Sequence, residues 1–418
     1  MASGRISPNL ALNQLVAERK ARGEQIVHLG FGEARLPVHP ALIDRLVTSA
    51  GRNAYGPVAG DAAVREAAAG YFTRRRMPTG PDQVIVAPGS KPLLMALNMV
   101  VPGDVLLPRP SWNSYAPQAH LAGKTAISVP IPDECGGVPE PEALREAIDA
   151  ARVLDHDPRI LVMTLPDNPT GTIASPALVR ELCAIAEEED LLIVSDEIYR
   201  DIVHDPYHPV LSPAEVVPKR TVVTTGLSKS LAVGGWRIGL ARFPSGAWGR
   251  RIQAGVTSFA SEVWSALATP MQDVAAYALS EPPEIRAHLA DCARLHGAMA
   301  RAMHEIVVGA GASCRQPTGG FYIYPDFEPV RERLTRRGVT DSASLTQHLL
   351  DSYGIAVLGG HHLGDSEKAL RVKIATGILY GDTAKEQRQA LRAADPLRLP
   401  HIVDLLTRIE ESFTKLCA

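Results

Sequence analysis

The feature that most constrains this chain is an alternation of short apolar runs with helical stretches between residues 82 and 245. Helices are predicted at residues 141–151 and 176–189, each with a proline in its first turn, where a missing backbone N–H is tolerated. Strands that alternate with helices indicate βαβ units, and such units build a mostly parallel sheet. The predicted strands are residues 83–87, 104–107, 126–131, 160–165, 191–195, 221–225 and 238–241.

The two ends of the chain are predicted to form a second, smaller unit. The expected fold class is α/β, with a large domain whose mixed, mostly parallel sheet is flanked by helices, plus a smaller α+β domain formed by the N- and C-terminal segments. Helical spacing of apolar residues and short apolar runs support the smaller unit. Its predicted helices and strands are residues 10–21, 283–307, 342–353 and 402–417, and residues 356–358 and 369–374.

The expected domain boundaries follow from these elements. Residues 1–44 are assigned to the N-terminal part of the small domain and its linker, residues 45–290 to the large domain, and residues 291–418 to the C-terminal small domain. A chain of 418 residues is long enough for two or three domains at about 150 residues each.

Composition excludes several classes of protein. The chain carries 43 basic and 46 acidic residues, a net charge of −3, so nothing favours a nucleic-acid or membrane-surface partner. Its first residues lack the apolar core of a signal peptide. The five cysteines are far apart and show no metal-ligand spacing, so we expect no metal site and a cytoplasmic location.

A lysine between small and hydroxyl residues carries the clearest chemical signal. The run Ser228-Lys229-Ser230 is followed, eight positions after the lysine, by Arg237 in a Gly-Gly-Trp-Arg sequence. The amine can form a Schiff base with an aldehyde, and the guanidinium can hold a phosphate with two hydrogen bonds. An enzyme that uses pyridoxal phosphate (PLP) needs both groups. An ordinary surface turn before a helix could have the same residues. Other motifs are therefore needed to distinguish a cofactor-binding lysine from such a turn.

Three motifs upstream follow predicted strands. Ser90 and Lys91 stand at a strand-to-helix turn, where free backbone N–H groups and the helix dipole favour a phosphate. Trp112 comes just past a strand end and would either stack on a cofactor ring or pack in the core. Asn168 lies in an Asp-Asn-Pro-Thr-Gly turn, where its amide can donate to a phenolate oxygen, although a plain loop has the same residues.

Asp196 ends an apolar strand, where a carboxylate is unfavourable unless it has a partner. A protonated pyridine nitrogen would supply that partner and keep the ring electron-withdrawing. Tyr199 can reach the same phenolate oxygen as Asn168. Arg371, within an apolar strand, suits a substrate carboxylate. A helix cap at Asp196 and a surface position for Arg371 remain the alternatives at this point.

Together these motifs resemble those of the class I/II aminotransferases, which are fold-type I PLP-dependent enzymes. The resemblance covers nearly the whole chain, from residues 29–33 through residues 55–60 to Arg371. It implies a transferase in which Lys229 forms the Schiff base with PLP and moves the substrate proton. It also implies a homodimer, because Tyr55 would reach the phosphate from the partner subunit. The resemblance implies cofactor binding by Ser90, Lys91, Trp112, Asn168, Asp196, Tyr199, Ser228, Arg237 and Tyr55, and substrate binding by Gly32, Asn168 and Arg371.

The chain departs from the family pattern at several places. Gly226 replaces the usual hydroxyl residue three positions before the lysine, so either Thr225 or Ser228 substitutes for it or one phosphate contact is missing. The segment 32–36 differs from the pattern, and the loop that contains His361 and His362 is also unusual. Histidines beside a substrate could move protons, but surface loop histidines are common.

The expected function is amino transfer between an L-amino acid and a 2-oxo acid. The alternative is a PLP enzyme of a natural-product pathway that catalyses elimination or replacement, cyclisation or oxidation of an amino acid, because loop residues rather than the fold select the reaction. A PLP-sensing transcription regulator is disfavoured, since only about 30 residues precede the family pattern. We further hypothesise that Glu262 lies near the active site and favours a basic substrate, against the alternative of a surface glutamate.

Overall fold

The structure is a computed structural model that describes residues 6–418. Residues 1–5, at the start of the segment judged to lack a signal core, lie outside the described residues. The helices α1 to α16 are Pro8–Ala21, Pro40–Ser49, Ala62–Arg74, Ser90–Val100, Tyr115–Leu121, Pro141–Val153, Pro176–Glu188, Pro213–Val216, Leu227–Ser230, Gly246–Val263, Thr269–Ser280, Pro283–Gly309, Arg331–Thr335, Ser342–Tyr353, Ala384–Arg392 and Pro400–Cys417. The strands β1 to β12 are Val27–His28, Val84–Ala87, Asp104–Arg109, Ala126–Pro130, Pro158–Thr164, Leu192–Asp196, Thr221–Gly226, Gly239–Arg242, Tyr322–Ile323, Ile355–Ala356, Leu358–Gly359 and Val372–Ala375.

The central sheet has seven strands in the order β2-β8-β7-β6-β5-β3-β4. The neighbours from β7 to β4 are parallel, whereas β8 is antiparallel to both β2 and β7. All seven predicted strands are present, so the prediction of a mixed, mostly parallel sheet is confirmed. Because parallel strands end at one edge, the residues that follow β5, β6 and β7 meet there.

Helices cover both faces of this sheet. Val84 and Val86 of β2 pack in one apolar cluster with residues of α3 and α11, while Leu161 and Ile193 pack in another with α6 and α7. The predicted first-turn prolines of α6 and α7 are present, and Glu140 and Ser175 cap these two helices through their side chains. Each cap satisfies a backbone N–H that has no partner within the helix.

A second group of elements comes from the two ends of the chain. Strands β11, β12 and β9 form a three-stranded antiparallel sheet, and β1 pairs with β10 in parallel. Their apolar residues share a core with α12, α14 and α16. The division at residues 44/45 and 290/291 stays a prediction, and helix α12 runs across the second of these boundaries.

The segment 382–400, rich in arginine and alanine, packs against α12. It contains α15 and a single 3-10 turn at Pro396–Arg398. Arg294 of α12 donates hydrogen bonds to the carbonyl oxygens of Leu391 and Ala393, which have no partner in their own helix. The segment therefore closes one side of the smaller core. Among the helices of residues 6–418, none combines the length and the apolarity needed to cross a bilayer.

Candidate active site

A pocket that encloses about 280 Å³ lies where the parallel strands β5, β6 and β7 end. Thr164 is the last residue of β5 and Asp196 the last of β6, and both line the pocket. Lys229 lines it from the turn after β7. Ten residues predicted from the sequence line this pocket: Gly32, Ser90, Lys91, Trp112, Asn168, Asp196, Tyr199, Ser228, Lys229 and Arg237.

Lys229 lies in the one-turn helix α9, directly after the buried strand β7. Its Nζ donates a hydrogen bond to the carbonyl oxygen of Gly32 over 2.5 Å. Enclosure in the pocket lowers the pKa of Lys229 to about 8, against the opposing charge of Glu33. A lysine with so low a pKa is partly neutral near physiological pH. The neutral amine is the form that attacks an aldehyde.

One carboxylate oxygen of Asp196 accepts a hydrogen bond from the protein, and the other oxygen has no partner among the described residues. The hydroxyl of Tyr115 donates to Oδ2 over 2.9 Å, and it also lies 2.9 Å from Oγ1 of Thr164. Oδ1 is buried and has no hydrogen-bond partner among residues 6–418. Burial raises the pKa of Asp196 to about 6, and the hydrogen bond from Tyr115 opposes this shift. The carboxylate is therefore arranged to accept one further proton donor from the pocket.

Tyr199 and Asn168 form a second polar group in the pocket. Nδ2 of Asn168 donates to the Tyr199 hydroxyl over 3.4 Å, and this hydroxyl lies 2.7 Å from that of Tyr322. Burial raises the pKa of Tyr199 well above its usual range, so the phenol stays protonated and can donate. A Cβ on Gly32 would lie 2.0 Å from the Tyr322 hydroxyl, so only glycine fits at position 32.

The opposite end of the pocket has the features of an anion-binding site. Helix α4 begins at Ser90, after Gly89 at φ +95°, and the free N–H groups of a helix start favour negative charge. A Cβ on Gly89 would lie 2.3 Å from a guanidinium nitrogen of Arg237, so the arginine crosses directly over this turn. Burial lowers the pKa of Lys91, and the nearby charge of Arg237 adds to that effect. Within the described chain, neither cation forms an ion pair with a carboxylate.

The structure gives a physical reason for Gly226. A Cβ at this position would lie 2.5 Å from the carbonyl oxygen of Ile238, because β7 and β8 lie side by side there. Thr225 is not a substitute at the pocket, since its hydroxyl donates to the Glu197 carbonyl oxygen over 3.0 Å. Ser228 does line the pocket. Of the two expected substitutes, only Ser228 is therefore near the anion site.

Two predicted residues lie outside the pocket. Arg371 has its Nε 2.7 Å from Oδ2 of Asp326 and its Nη1 3.2 Å from Oδ2 of Asp365. The charge of Arg371 is therefore compensated by two carboxylates of the protein. Tyr55 is 95% exposed, as expected for a side chain that would serve another subunit but also for an ordinary surface residue.

The residues of the hypotheses about the histidine loop and Glu262 also lie outside this pocket. His361 contacts the Ser342 hydroxyl at 3.0 Å, whereas His362 lines a neighbouring groove along helix α1. Burial lowers the pKa of His362 to about 4, so this imidazole is neutral at physiological pH. Glu262 is exposed on α10 and accepts a hydrogen bond from the adjacent Ser261, as a surface glutamate would.

Nine lining residues were not predicted as site residues from the sequence, and Tyr115, Tyr322 and Lys373 are among them. Tyr115 follows Trp112 by one helical turn, which is a signal that could have been used. Lys373 was detectable as a charged residue within an apolar strand, two positions after Arg371 and so on the same face of an extended chain.

Comparison with known proteins decides the family. The model of the family described as aminotransferase class I and II matches residues 24–378. The chain belongs to this family. Aspartate/prephenate aminotransferase of Thermus thermophilus is 29% identical over 360 residues, which cover 85% of this chain and 88% of the relative. A probable aspartate/prephenate aminotransferase of Thermus aquaticus is 31% identical over 350 residues, which cover 80% and 87%.

A solved structure agrees with this membership. Aspartate aminotransferase from Thermus thermophilus, determined with maleate, has a TM-score of 0.80 at 26% identity and covers 99% of this chain and 97% of its own. The chain is thus a PLP-dependent aminotransferase, and the expected fold, enzyme class and cofactor are confirmed. The two Thermus relatives are named as aminotransferases, so they give no support to elimination, cyclisation or oxidation as the main reaction.

The pocket of this aminotransferase fits PLP on three observations. The unpartnered Oδ1 of Asp196 suits a protonated ring nitrogen, and the unpartnered Oδ1 of Asn168 leaves that amide free to adjust to a ligand. Glycine at position 89 lets the Arg237 guanidinium lie against the start of α4, since a Cβ there would lie 2.3 Å from it. One end of the pocket has two cations and a helix start, which suit a phosphate. The other end has a carboxylate, which suits a basic ring.

Proposed function

We propose that Lys229 is the catalytic lysine of this aminotransferase. It is the lysine that follows β7, and its lowered pKa supplies neutral amine at physiological pH. When bound, PLP supplies the aldehyde that takes up the substrate amine and the ring that withdraws electrons from Cα. Lys229 would hold the resting cofactor through Nζ. Once displaced by the substrate, Nζ would take the proton from Cα and return it to the cofactor carbon.

Four side chains are proposed to orient the ring. Asp196 would accept a hydrogen bond from the ring nitrogen through Oδ1 and keep that nitrogen protonated. Asn168 and Tyr199 would donate to the ring hydroxyl, which the protonated state of Tyr199 supports. Trp112 would stack on the ring. Its own ring packs edge-on against Tyr115 at 5.2 Å between centroids, which fixes its plane.

The phosphate is proposed to bind at the start of α4. Ser90, Ser228, Lys91 and Arg237 line this end of the pocket, and the two cations have no protein carboxylate as a partner within residues 6–418. Tyr55 would complete the site from the second subunit of a homodimer. Its 95% exposure supports this, because an aromatic side chain without cover in one chain is available to another.

We propose a dicarboxylic amino acid, such as aspartate, as the amino donor and a 2-oxo acid as the acceptor. The names of the Thermus relatives include aspartate. Ser7 and Asn9 also line the pocket, and they offer neutral donors for a side-chain carboxylate. This proposal opposes the hypothesis of a basic substrate, which relied on Glu262.

The five cysteines are unpaired, and four of them are buried, which supports our proposal of a cytoplasmic location. No disulfide within the chain therefore calls for an oxidising compartment.

A substrate screen tests the proposed donor. The PLP-loaded enzyme is incubated with 2-oxoglutarate and each of aspartate, alanine, lysine and phenylalanine, and the new amino acid is quantified. We expect the highest kcat/KM with aspartate, and a larger loss with aspartate than with alanine in Asn9→Ala. A preference for lysine, or an equal loss with both donors, would contradict the proposed substrate class.

A further inference from the structure

The hydroxyl of Tyr322 is buried beside the groups proposed to hold the cofactor ring. Tyr322 begins β9, is 1% exposed and lines the pocket. Its hydroxyl lies 2.7 Å from the hydroxyl of Tyr199. Among residues 6–418, Tyr199 is the only residue that forms a hydrogen bond with this hydroxyl. Any effect of the Tyr322 hydroxyl on the site is therefore expected to pass through Tyr199.

Tight contacts fix the position of this hydroxyl. The Tyr322 backbone pairs with β12, and its carbonyl oxygen would lie 2.1 Å from a Cβ on Gly171. Gly171 follows Asn168 by three residues in the turn after β5. The hydroxyl itself would lie 2.0 Å from a Cβ on Gly32. Because backbone lies close on both sides, the phenol has little freedom to move away from Tyr199.

The aromatic rings are packed independently of the hydroxyls. The rings of Tyr199 and Tyr322 meet edge to face, with 5.4 Å between their centroids and 84° between their planes. Phe321 packs against both rings, at 5.6 Å from Tyr199 and 4.8 Å from Tyr322. A Tyr322→Phe substitution would therefore remove the hydroxyl and keep the ring in its packing.

The direction of the hydrogen bond between the two phenols follows from the number of protons. Burial raises the pKa of both phenols, so each keeps its single proton. The proposed role of Tyr199 is to donate this proton to the ring hydroxyl of the cofactor. The Tyr199 oxygen must then accept from Tyr322. The amide of Asn168 is the more distant donor to this oxygen, since its Nδ2 lies 3.4 Å away.

We propose that Tyr322 is a positioning residue that acts on the cofactor ring through Tyr199. This inference rests on the proposed function, since it takes Tyr199 to donate to the ring hydroxyl. Tyr322 would donate to the Tyr199 oxygen and hold it in place. It would also make Tyr199 a stronger donor, because hydrogen bonds in a chain polarise one another. A stronger donor stabilises negative charge on the ring oxygen.

This effect should extend to the nitrogen that joins Lys229 to the cofactor. While this nitrogen is protonated, its charge stabilises the negative ring oxygen beside it. Once the proton is lost, the oxygen depends on the donors of the protein. Loss of a donor therefore favours the protonated nitrogen and raises its pKa. The absorbance of the bound cofactor reports this protonation directly.

The test is a pH titration of the PLP-loaded enzyme without substrate, in which the absorbance of the cofactor is recorded. The midpoint is the pH at which half of the absorbance change has occurred. Tyr322→Phe removes only one hydroxyl, Tyr199→Phe removes the donor to the ring, and a third variant carries both changes. Tyr71→Phe is the control, because its buried hydroxyl donates to Asp201 outside the pocket.

We expect Tyr322→Phe to raise the midpoint by about 0.3 to 0.7 pH unit, up to the effect of one neutral hydrogen bond. Tyr199→Phe should raise the midpoint further, since it removes the direct donor. When the Tyr199 hydroxyl is already absent, Tyr322→Phe should shift the midpoint by less than about 0.2 pH unit, because the path through Tyr199 is broken. Tyr71→Phe should match the wild type.

The proposal is overturned by an unchanged midpoint in Tyr322→Phe. It is also overturned by a shift of equal size with and without the Tyr199 hydroxyl, because Tyr322 would then act independently of Tyr199. Failure of the proposed amino transfer would appear separately, as absence of oxo acid product in a wild-type enzyme whose bound cofactor still titrates.

Discussion

The hydroxyl of Tyr115 donates a hydrogen bond to Oδ2 of Asp196 over 2.9 Å, while Oδ1 of the same carboxylate has no partner in the described chain. One contact fixes the carboxylate and favours its ionised form. The other oxygen is the one proposed to accept a hydrogen bond from the ring nitrogen of PLP. Tyr115 therefore holds Asp196 through Oδ2 and does not occupy Oδ1, the oxygen proposed to contact the cofactor.

Tyr115→Phe is expected to lower kcat by about 5- to 10-fold, the effect of one hydrogen bond of about 1 kcal/mol. Loss of the donor also raises the pKa of Asp196, so the acidic limb of the pH profile of kcat should move to higher pH. Tyr71→Phe is the matched control, because its hydroxyl donates to Asp201 over 3.0 Å outside the pocket. An unchanged acidic limb in Tyr115→Phe would contradict this role.

Arg237→Gln is expected to weaken PLP binding by about 10- to 100-fold, because a charge-assisted contact to the phosphate is lost. Pyridoxal, which has no phosphate, should bind the variant and the wild type with similar affinity. Equilibrium dialysis of both ligands measures the difference. A parallel loss of pyridoxal affinity would mean that Arg237 acts on the fold and not on the phosphate.

The exposed Tyr55 gives a test of the dimer by complementation. Lys229→Ala and Tyr55→Asp should each be inactive, the second because a carboxylate would repel the phosphate. After unfolding and refolding together, random pairing should restore about a quarter of the wild-type activity, since a mixed dimer contains one intact site. Sedimentation analysis checks that the refolded sample contains dimers. No recovery in a sample that contains mixed dimers would place Tyr55 in the site of its own chain.

The stability of the PLP-free protein should depend on pH through Lys373. Burial lowers its pKa in the folded state to about 7. Between this value and the higher pKa of the unfolded chain, only the unfolded state binds the proton, so the free energy of unfolding rises with pH. Lys373→Met removes this contribution. Above about pH 7, the free energy of unfolding of the wild type should rise relative to that of the variant. The rise should be no more than about 1.4 kcal/mol per pH unit. A constant difference in urea unfolding from about pH 7 to pH 10 would contradict the burial of this charge.

The sequence predicted the sheet well because local signals define it. Apolar runs bounded by turns gave all seven strands of the central sheet, and the residues that follow their carboxyl ends met in one pocket, as parallel strands require. Asp196 and Asn168 were predicted in this way, whereas Lys229 was predicted from the serines beside it and from Arg237 eight positions later. Each stands next to a strand end that can be recognised without knowledge of distant contacts.

The missed residues depend on contacts between distant segments. Arg371 and Lys373 are two positions apart in an extended stretch of chain, so spacing alone does not decide which of them serves the pocket. Asp326 and Asp365, which compensate Arg371, come from elsewhere in the chain. The role of Tyr115 likewise depends on Asp196, which is 81 positions away in sequence.

A single-turnover assay in oxygen-free buffer, with PLP-loaded enzyme and aspartate but no acceptor, tests the central claim most directly. The account predicts about one oxo acid per active site, then no further product until 2-oxoglutarate is added, because each active site can store one amino group. Lys229→Ala should form none. Continuous release of ammonia without an acceptor, or product from Lys229→Ala at the wild-type rate, would contradict amino transfer through Lys229.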